Sequence, residues 1–122
     1  MKPCSESCGC TVFHQDTLNK VEKHLYSDQS FDDLTILFKL LNDKTRIKIL
    51  ESIKDEYLCV CDLSYLTNVS KSAISHQMKL LKKHHIVEHK KEGKMVYYHL
   101  KDQNIASLIH YGYLHTKGNE LK

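Results

Sequence analysis

Long apolar runs are missing from this sequence of 122 residues. No stretch approaches the roughly 20 consecutive apolar residues that a membrane-spanning helix needs. The residues that follow Met1 are polar and do not form the apolar centre of a signal peptide. We therefore expect a cytoplasmic protein with no membrane partner, and the length allows one hydrophobic core.

Sequence patterns typical of enzymes are also missing. No Gly-rich loop or strained turn pairs a nucleophile with a base, so we expect no enzymatic activity. The formal net charge of +3 is too small by itself to indicate a nucleic-acid-binding protein, and the positions of the basic residues matter more. Lysines greatly outnumber acidic residues between positions 71 and 94, where the acids are Glu88 and Glu92.

The chain divides into a short leader and one predicted domain. Residues 1–15 have no apolar period and few helix formers, which predicts a flexible, cysteine-containing leader. Residues 16–122 are predicted to form one domain. Apolar spacing predicts helices over 17–26, 31–41, from the Asn42-Asp43 cap to 54, 62–67, 71–84 and 102–117.

After residue 85 the apolar period changes from helical to alternating. Val96, Tyr98 and Leu100 alternate behind a Glu92-Gly93 turn, which predicts a β-hairpin over residues 86–100. The predicted fold is therefore mainly α with a β-hairpin wing. This order of elements is that of a winged helix-turn-helix domain.

The predicted helix after Ser70 has one apolar face and one polar, basic face. Hydroxyl and amide groups near the start of such a helix can reach base edges in a major groove, and lysines elsewhere can meet phosphates. A solvated helix face is the ordinary alternative for this pattern alone. The preceding short helix and the following basic hairpin favour double-stranded DNA as the partner. The predicted DNA-binding residues are Ser70, Lys71, Ser72, Ser75, His76, Gln77, Lys79, Lys83, Lys90, Lys91 and Lys94.

Five cysteines form two clusters, Cys4, Cys8 and Cys10 in the leader and Cys59 with Cys61 in the chain centre. Because cytoplasmic thiols stay reduced, metal binding is the favoured use. Thiolate-rich sites usually take three or four ligands, and a flexible leader can fold onto the central pair. Four sulfurs would favour Cd(II) or Pb(II), with Zn(II) as a further candidate. The alternatives are a regulatory disulfide, or a cysteine buried merely as an apolar residue.

Three segments resemble the ArsR/SmtB family of metal-sensing transcriptional repressors, and within it the cadmium and lead sensors. They are residues 58–63 (LCVCDL), 69–81 in the predicted DNA-reading helix and 91–98 in the wing. The resemblance covers nearly the whole chain. It implies a homodimer whose first and last helices form the interface and whose two reading helices meet a palindromic operator.

The resemblance also implies a ligand set. Cadmium sensors join two leader cysteines to the two cysteines of the CVC motif, and the matching residues here are Cys4, Cys8, Cys59 and Cys61. Cys10 has no clear counterpart and is either a candidate additional ligand or a free thiol. Arsenite sensors of the family carry a third cysteine three positions after the motif, where this chain has Ser64.

A second metal site of the family lies between the last helices of two subunits. Two of its four positions match here, Asp102 and His115, whereas Asn104 and Gly118 replace the other two ligands. Asp102 and His115 are therefore only candidate additional ligands, and the cysteines must carry the regulation.

These features together predict a metal-responsive repressor. The metal-free dimer would hold operator DNA, and binding of Cd(II) or Pb(II) by cysteine thiolates would release it and derepress metal efflux genes. A repressor of the same fold that responds to arsenite, antimonite or thiol oxidation is the alternative. A metal-buffering protein with no DNA role is a second rival, and the serine and lysine face of the reading helix argues against it.

Overall fold

The structure is a computed structural model and describes residues 14–120. The leader cysteines Cys4, Cys8 and Cys10 lie outside the described residues. The chain forms two compact units, one ending at Thr35 and one beginning at Ile36. The domain predicted over residues 16–122 therefore spans both units. The elements are α1 (Gln15–His24), α2 (Asp28–Leu41), α3 (Lys44–Ser52), β1 (Leu58–Cys59), α4 (Val60–Thr67), α5 (Lys71–Lys83), β2 (Val87–Glu92), β3 (Met95–Leu100) and α6 (Asn104–Glu120).

Every residue of α1 is exposed to solvent. Its apolar stripe is therefore uncovered by residues 14–120, and the amphipathic pattern of residues 17–26 predicts a helix that needs a neighbour to cover it. At the junction of α1 and α2, the ring centres of Tyr26 and Phe31 lie 5.8 Å apart.

Side-chain caps fix the starts of the central helices. The Asp43 carboxylate accepts a hydrogen bond from the Arg46 N–H at 3.0 Å and begins α3. The Ser70 hydroxyl accepts one from the Ala73 N–H at 3.2 Å and begins α5. Each cap satisfies one of the backbone donors that a helix start leaves free. Both caps were predicted from the sequence.

The end of α5 turns sharply into the wing. His85 has a left-handed backbone with φ of 59°. Its N–H bonds the Lys82 carbonyl, and the Ile86 N–H bonds the Leu81 carbonyl, each at 3.0 Å. This is the Schellman arrangement that closes a helix C-terminus, and it sends the chain directly into β2.

The wing is the hairpin of β2 and β3, and it belongs to a three-stranded antiparallel sheet with strand order β1-β3-β2. The hairpin pairs Val87 with Leu100 and Glu92 with Met95, and Gly93 occupies the turn with φ of 61°. The short strand β1 was not predicted, because two residues are too few to show an alternating pattern. It pairs Cys59 with Tyr97, and so joins the CVC segment to the wing.

The second unit has one hydrophobic core. Residues from α3, α4, α5 and the sheet are fully shielded from solvent there. The largest of these side chains are Ile49, Leu50, Ile53, Leu63, Ile74, Met78, Leu81 and Leu100. Within the described residues, no helix is both long and apolar enough to cross a membrane.

Candidate DNA-binding surface and cysteine cavity

Helix α5 presents its two predicted faces to different environments. Ile74, Met78 and Leu81 are completely buried in the core. The opposite face is open to solvent from the first turn to the last, and Ser75 is half-buried beside it. The exposed predicted DNA-binding residues of this helix and its cap are Ser70, Lys71, Ser72, His76, Lys79 and Lys83.

Gln77 differs from its predicted neighbours. It is half-buried, and its Oε1 accepts a hydrogen bond from Arg46 Nε at 2.7 Å. Arg46 also donates from a guanidinium nitrogen to the Leu40 carbonyl at 3.4 Å. Gln77 therefore ties α5 to α3, and its role as a base reader stays a prediction. The role of Arg46 was not predicted, because its partner lies 31 residues away in the sequence.

The wing lysines have different surroundings. Lys90 Nζ lies 3.3 Å from a Glu92 carboxylate oxygen and 4.2 Å from the centre of the Tyr57 ring. That ring stacks on His99, with ring centres 4.5 Å apart. Lys91 and Lys94 are exposed near the turn, and no ion pair of theirs is found within residues 14–120. Lys91 and Lys94 are therefore better placed than Lys90 to reach a phosphate backbone.

Cys59 and Cys61 lie at the start of α4, where β1 ends. Cys59 is buried at 7% exposure, whereas Cys61 is exposed. The Cys59 N–H donates to Asp62 Oδ2 at 3.1 Å, and its thiol lies 3.2 Å from the same oxygen. Both cysteines are free thiols.

The two cysteines line one open cavity of about 300 Å³. Its other walls come from the start of α5 and from the wing, so the cavity lies between the two parts of the predicted DNA-binding surface. Its lining residues are Cys59, Val60, Cys61, Lys71, Lys94, Met95 and Val96. Two predicted DNA-contacting lysines thus share a cavity with two predicted metal ligands.

The donor set of this cavity fits a thiophilic ion only in part. Two thiols are available, and residues 14–120 contain no group of three or more His, Cys, Asp or Glu side chains that could hold a metal ion. A site of three or four thiolates therefore needs further cysteine sulfur from elsewhere in the chain or from another molecule.

Asp102 and His115 are far apart in this chain. The Asp102 carboxylate accepts a hydrogen bond from the Asn104 N–H at 2.9 Å, just before α6. His115 lies eleven residues after Asn104 on α6, and at roughly 1.5 Å per residue this distance along the helix is roughly 16 Å. One ion cannot bridge that distance, so a shared site would need α6 of a second subunit.

The comparisons with known proteins agree with this arrangement. Residues 43–89, from the α3 cap into the wing, match the model described as bacterial regulatory protein, arsR family. The chain is 38% identical over 114 residues to the cadmium resistance transcriptional regulatory protein CadC homolog of Staphylococcus aureus, covering 92% of this chain and 93% of that protein. The chain belongs to the ArsR family. It is also 34% identical to the CadC protein of Listeria innocua, over 88% of this chain and 91% of that protein.

A solved ArsR-type structure has the same fold. The homodimeric winged helix-turn-helix DNA-binding domain of a possible ArsR-family regulator from Mycobacterium bovis superposes with a TM-score of 0.68, over 79% of this chain and 92% of that chain, at 21% identity. The mainly α fold with a β-hairpin wing is therefore confirmed as a winged helix-turn-helix. As a member of the ArsR/SmtB family, the chain is a transcriptional repressor.

Proposed function

We propose that this repressor binds operator DNA in its metal-free form and releases it when Cys59 and Cys61, completed by Cys4 and Cys8, bind Cd(II) or Pb(II). Zn(II) is a further candidate. The genes released from repression encode metal efflux. The observation that carries the proposal is the shared cavity, in which both central cysteines lie beside Lys71 and Lys94.

The charge of the site supports this regulation. A thiol that binds a metal ion gives up its proton and becomes a thiolate. Four thiolates around a divalent ion leave the site negatively charged, next to two ammonium groups that are predicted to contact phosphates. Such a charge attracts those lysines and repels the DNA backbone, so metal and DNA oppose each other.

Homodimerisation is part of the proposal. The CadC relatives are cadmium resistance regulators by name, and the M. bovis fold neighbour is described as homodimeric. Two copies of α5 in a symmetric dimer would address half-sites about one helical turn apart, roughly 34–36 Å. Sedimentation at micromolar concentration should give twice the mass of one chain.

The test is a fluorescence-anisotropy titration of the full chain on its own upstream DNA. Cd(II) should weaken wild-type binding at least about tenfold, equivalent to roughly 1.4 kcal/mol of coupling. The Cys59→Ser variant should bind DNA normally and stay bound in Cd(II). Mg(II), which prefers oxygen ligands, is the matched metal control and should release neither protein.

Two results would reject the proposal. DNA binding that is absent would remove the repressor mechanism, and binding that ignores Cd(II) would remove the metal switch. Titration with peroxide in the absence of metal separates thiol oxidation from metal sensing. A regulatory disulfide would release the wild-type protein from DNA in peroxide but not in Cd(II). Arsenite and antimonite are tested in the same titration. Ser64 occupies the position of the third cysteine of arsenite sensors, so these ions should release the DNA less readily than Cd(II).

A further inference from the structure

A third sulfur faces the cysteine cavity. Met95, the first residue of β3, lines it together with Cys59 and Cys61. Its side chain is 41% exposed, so it fills no core position. The thioether is the only other sulfur among the residues that line this cavity.

The register of the sheet brings Met95 to the same face as Cys59. Cys59 pairs directly with Tyr97, and directly opposed residues point to one face. Met95 lies two residues before Tyr97 on β3 and shares that face. Cys59 and Met95 are therefore diagonal neighbours, and residues in such pairs lie roughly 7–8 Å apart, with their Cβ atoms somewhat closer. The three rotatable bonds of methionine can place its sulfur on an ion held by the cysteines.

We propose that Met95 Sδ joins Cys59 and Cys61 as the third ligand of a site for a soft monovalent cation, Cu(I) or Ag(I). The inference rests on the proposed function, because it takes the cysteine cavity as a metal site. Thiolate and thioether ligands together favour Cu(I), whereas carboxylate and water favour hard ions. The site needs no leader cysteine, which distinguishes it from the four-thiolate site.

The balance of charge suits such an ion. Each thiol releases its proton to solvent on binding, and Met95 donates a lone pair without losing a proton. The oxidation state of the metal does not change. Two thiolates and one monovalent cation leave a single negative charge, which Lys71 and Lys94 in the cavity wall can compensate.

Occupation of this site would tie two elements together. Cys59 ends β1 and Cys61 lies in the first turn of α4, whereas Met95 follows Lys94 at the wing tip. A metal ion shared by all three sulfurs would fix the wing against α4. The wing is one of the predicted DNA contacts, so the ion would also restrict its approach to DNA.

The experiment uses the full chain with Cys4→Ser, Cys8→Ser and Cys10→Ser, which leaves Cys59, Cys61 and Met95 as ligands. Cu(I) affinity is measured anaerobically by competition with bicinchoninate, for this triple-serine protein and for the same protein carrying M95L. Leucine keeps the volume and removes the sulfur, so the fold should be unchanged. M95L should weaken Cu(I) binding by about tenfold or more and change Cd(II) binding by less than about twofold.

A direct readout is copper-edge X-ray absorption of selenomethionine-labelled protein. A selenium neighbour of copper is expected in the triple-serine protein and should vanish with M95L. Equal Cu(I) affinities, equal losses for both ions, or no selenium neighbour would each overturn the inference. These measurements involve no DNA, so they are independent of whether Cd(II) releases the operator, which decides the proposed function.

Discussion

The Cys59 thiol and the Asp62 carboxylate meet at 3.2 Å across the first turn of α4. The same carboxylate oxygen accepts the Cys59 backbone N–H at 3.1 Å, so Asp62 both caps the helix and faces the sulfur. These two contacts oppose each other once the thiol is ionised. A carboxylate stabilises the start of a helix, but it repels a thiolate at this distance.

Replacing this carboxylate should therefore strengthen metal binding. Asp62→Asn keeps an oxygen for the Cys59 N–H and removes the negative charge that faces the thiolate. We expect Cd(II) affinity to rise by about threefold or more, measured by the sulfur-to-cadmium absorption band in a chelator competition. Asp62→Ala is the control that removes the cap as well. A weaker affinity in Asp62→Asn would contradict the expected repulsion between carboxylate and thiolate.

The Arg46–Gln77 hydrogen bond should couple α3 to the DNA-reading helix. The 2.7 Å contact joins a charged donor to an amide oxygen in a half-buried position. Arg46→Met and Gln77→Leu should each destabilise the fold by about 1–3 kcal/mol in urea unfolding. The double variant should lose less than the sum, by about 0.5–1.5 kcal/mol. Additive losses would contradict an energetically significant bond.

Lys90 and Lys91 should contribute unequally to DNA binding. Lys90 is engaged by Glu92 and the Tyr57 ring, whereas no partner of Lys91 is found among the residues that the structure describes. Lys91→Ala should reduce the slope of log K against log salt by about 0.9, the value for one phosphate contact. Lys90→Ala should reduce it less. Lys39→Ala on α2 removes the same charge outside the predicted surface and should leave the slope unchanged. Equal slopes for Lys90→Ala and Lys91→Ala would contradict the predicted difference.

The left-handed backbone at His85 should be a point of strain. Residues other than glycine rarely adopt φ near 59°, and the conformation costs them about 1–2 kcal/mol. Glycine relieves this strain but loses more conformational entropy on folding. His85→Gly should therefore raise the free energy of unfolding by a net value of about 0.5–1 kcal/mol. His84→Gly is the matched control. His84 has φ of −93°, so glycine there should destabilise the protein. Thermal unfolding of both variants checks the prediction.

Much of the fold was predictable because it is encoded locally. The apolar spacing of Ile74, Met78 and Leu81 defined the buried side of α5, and all three are completely buried. Asp43 and Ser70 predicted two helix starts because a cap acts within three residues of sequence. The hairpin was predictable for a similar reason, since alternation and a turn glycine are local features.

Other features could not be predicted, because they depend on residues distant in the sequence. Strand β1 has two residues, and its pairing with Tyr97 arises from the meeting of the CVC segment and the wing. The Arg46–Gln77 and Lys90–Tyr57 contacts likewise join separate elements. Together with the Ser70 cap, they give three of the predicted DNA-binding side chains partners within the protein.

The helices, the wing, the basic face of α5 and the two cysteine clusters can all be read from short stretches of sequence, because periodicity, capping and ligand type are properties of short segments. The burial of Cys59, the exposure of Cys61 and the presence of Lys71, Lys94 and Met95 in their cavity become visible only in the folded chain. That neighbourhood depends on the strand register and on the packing of α4 against α5. Packing of this kind arises from long-range contacts that no short segment of sequence encodes.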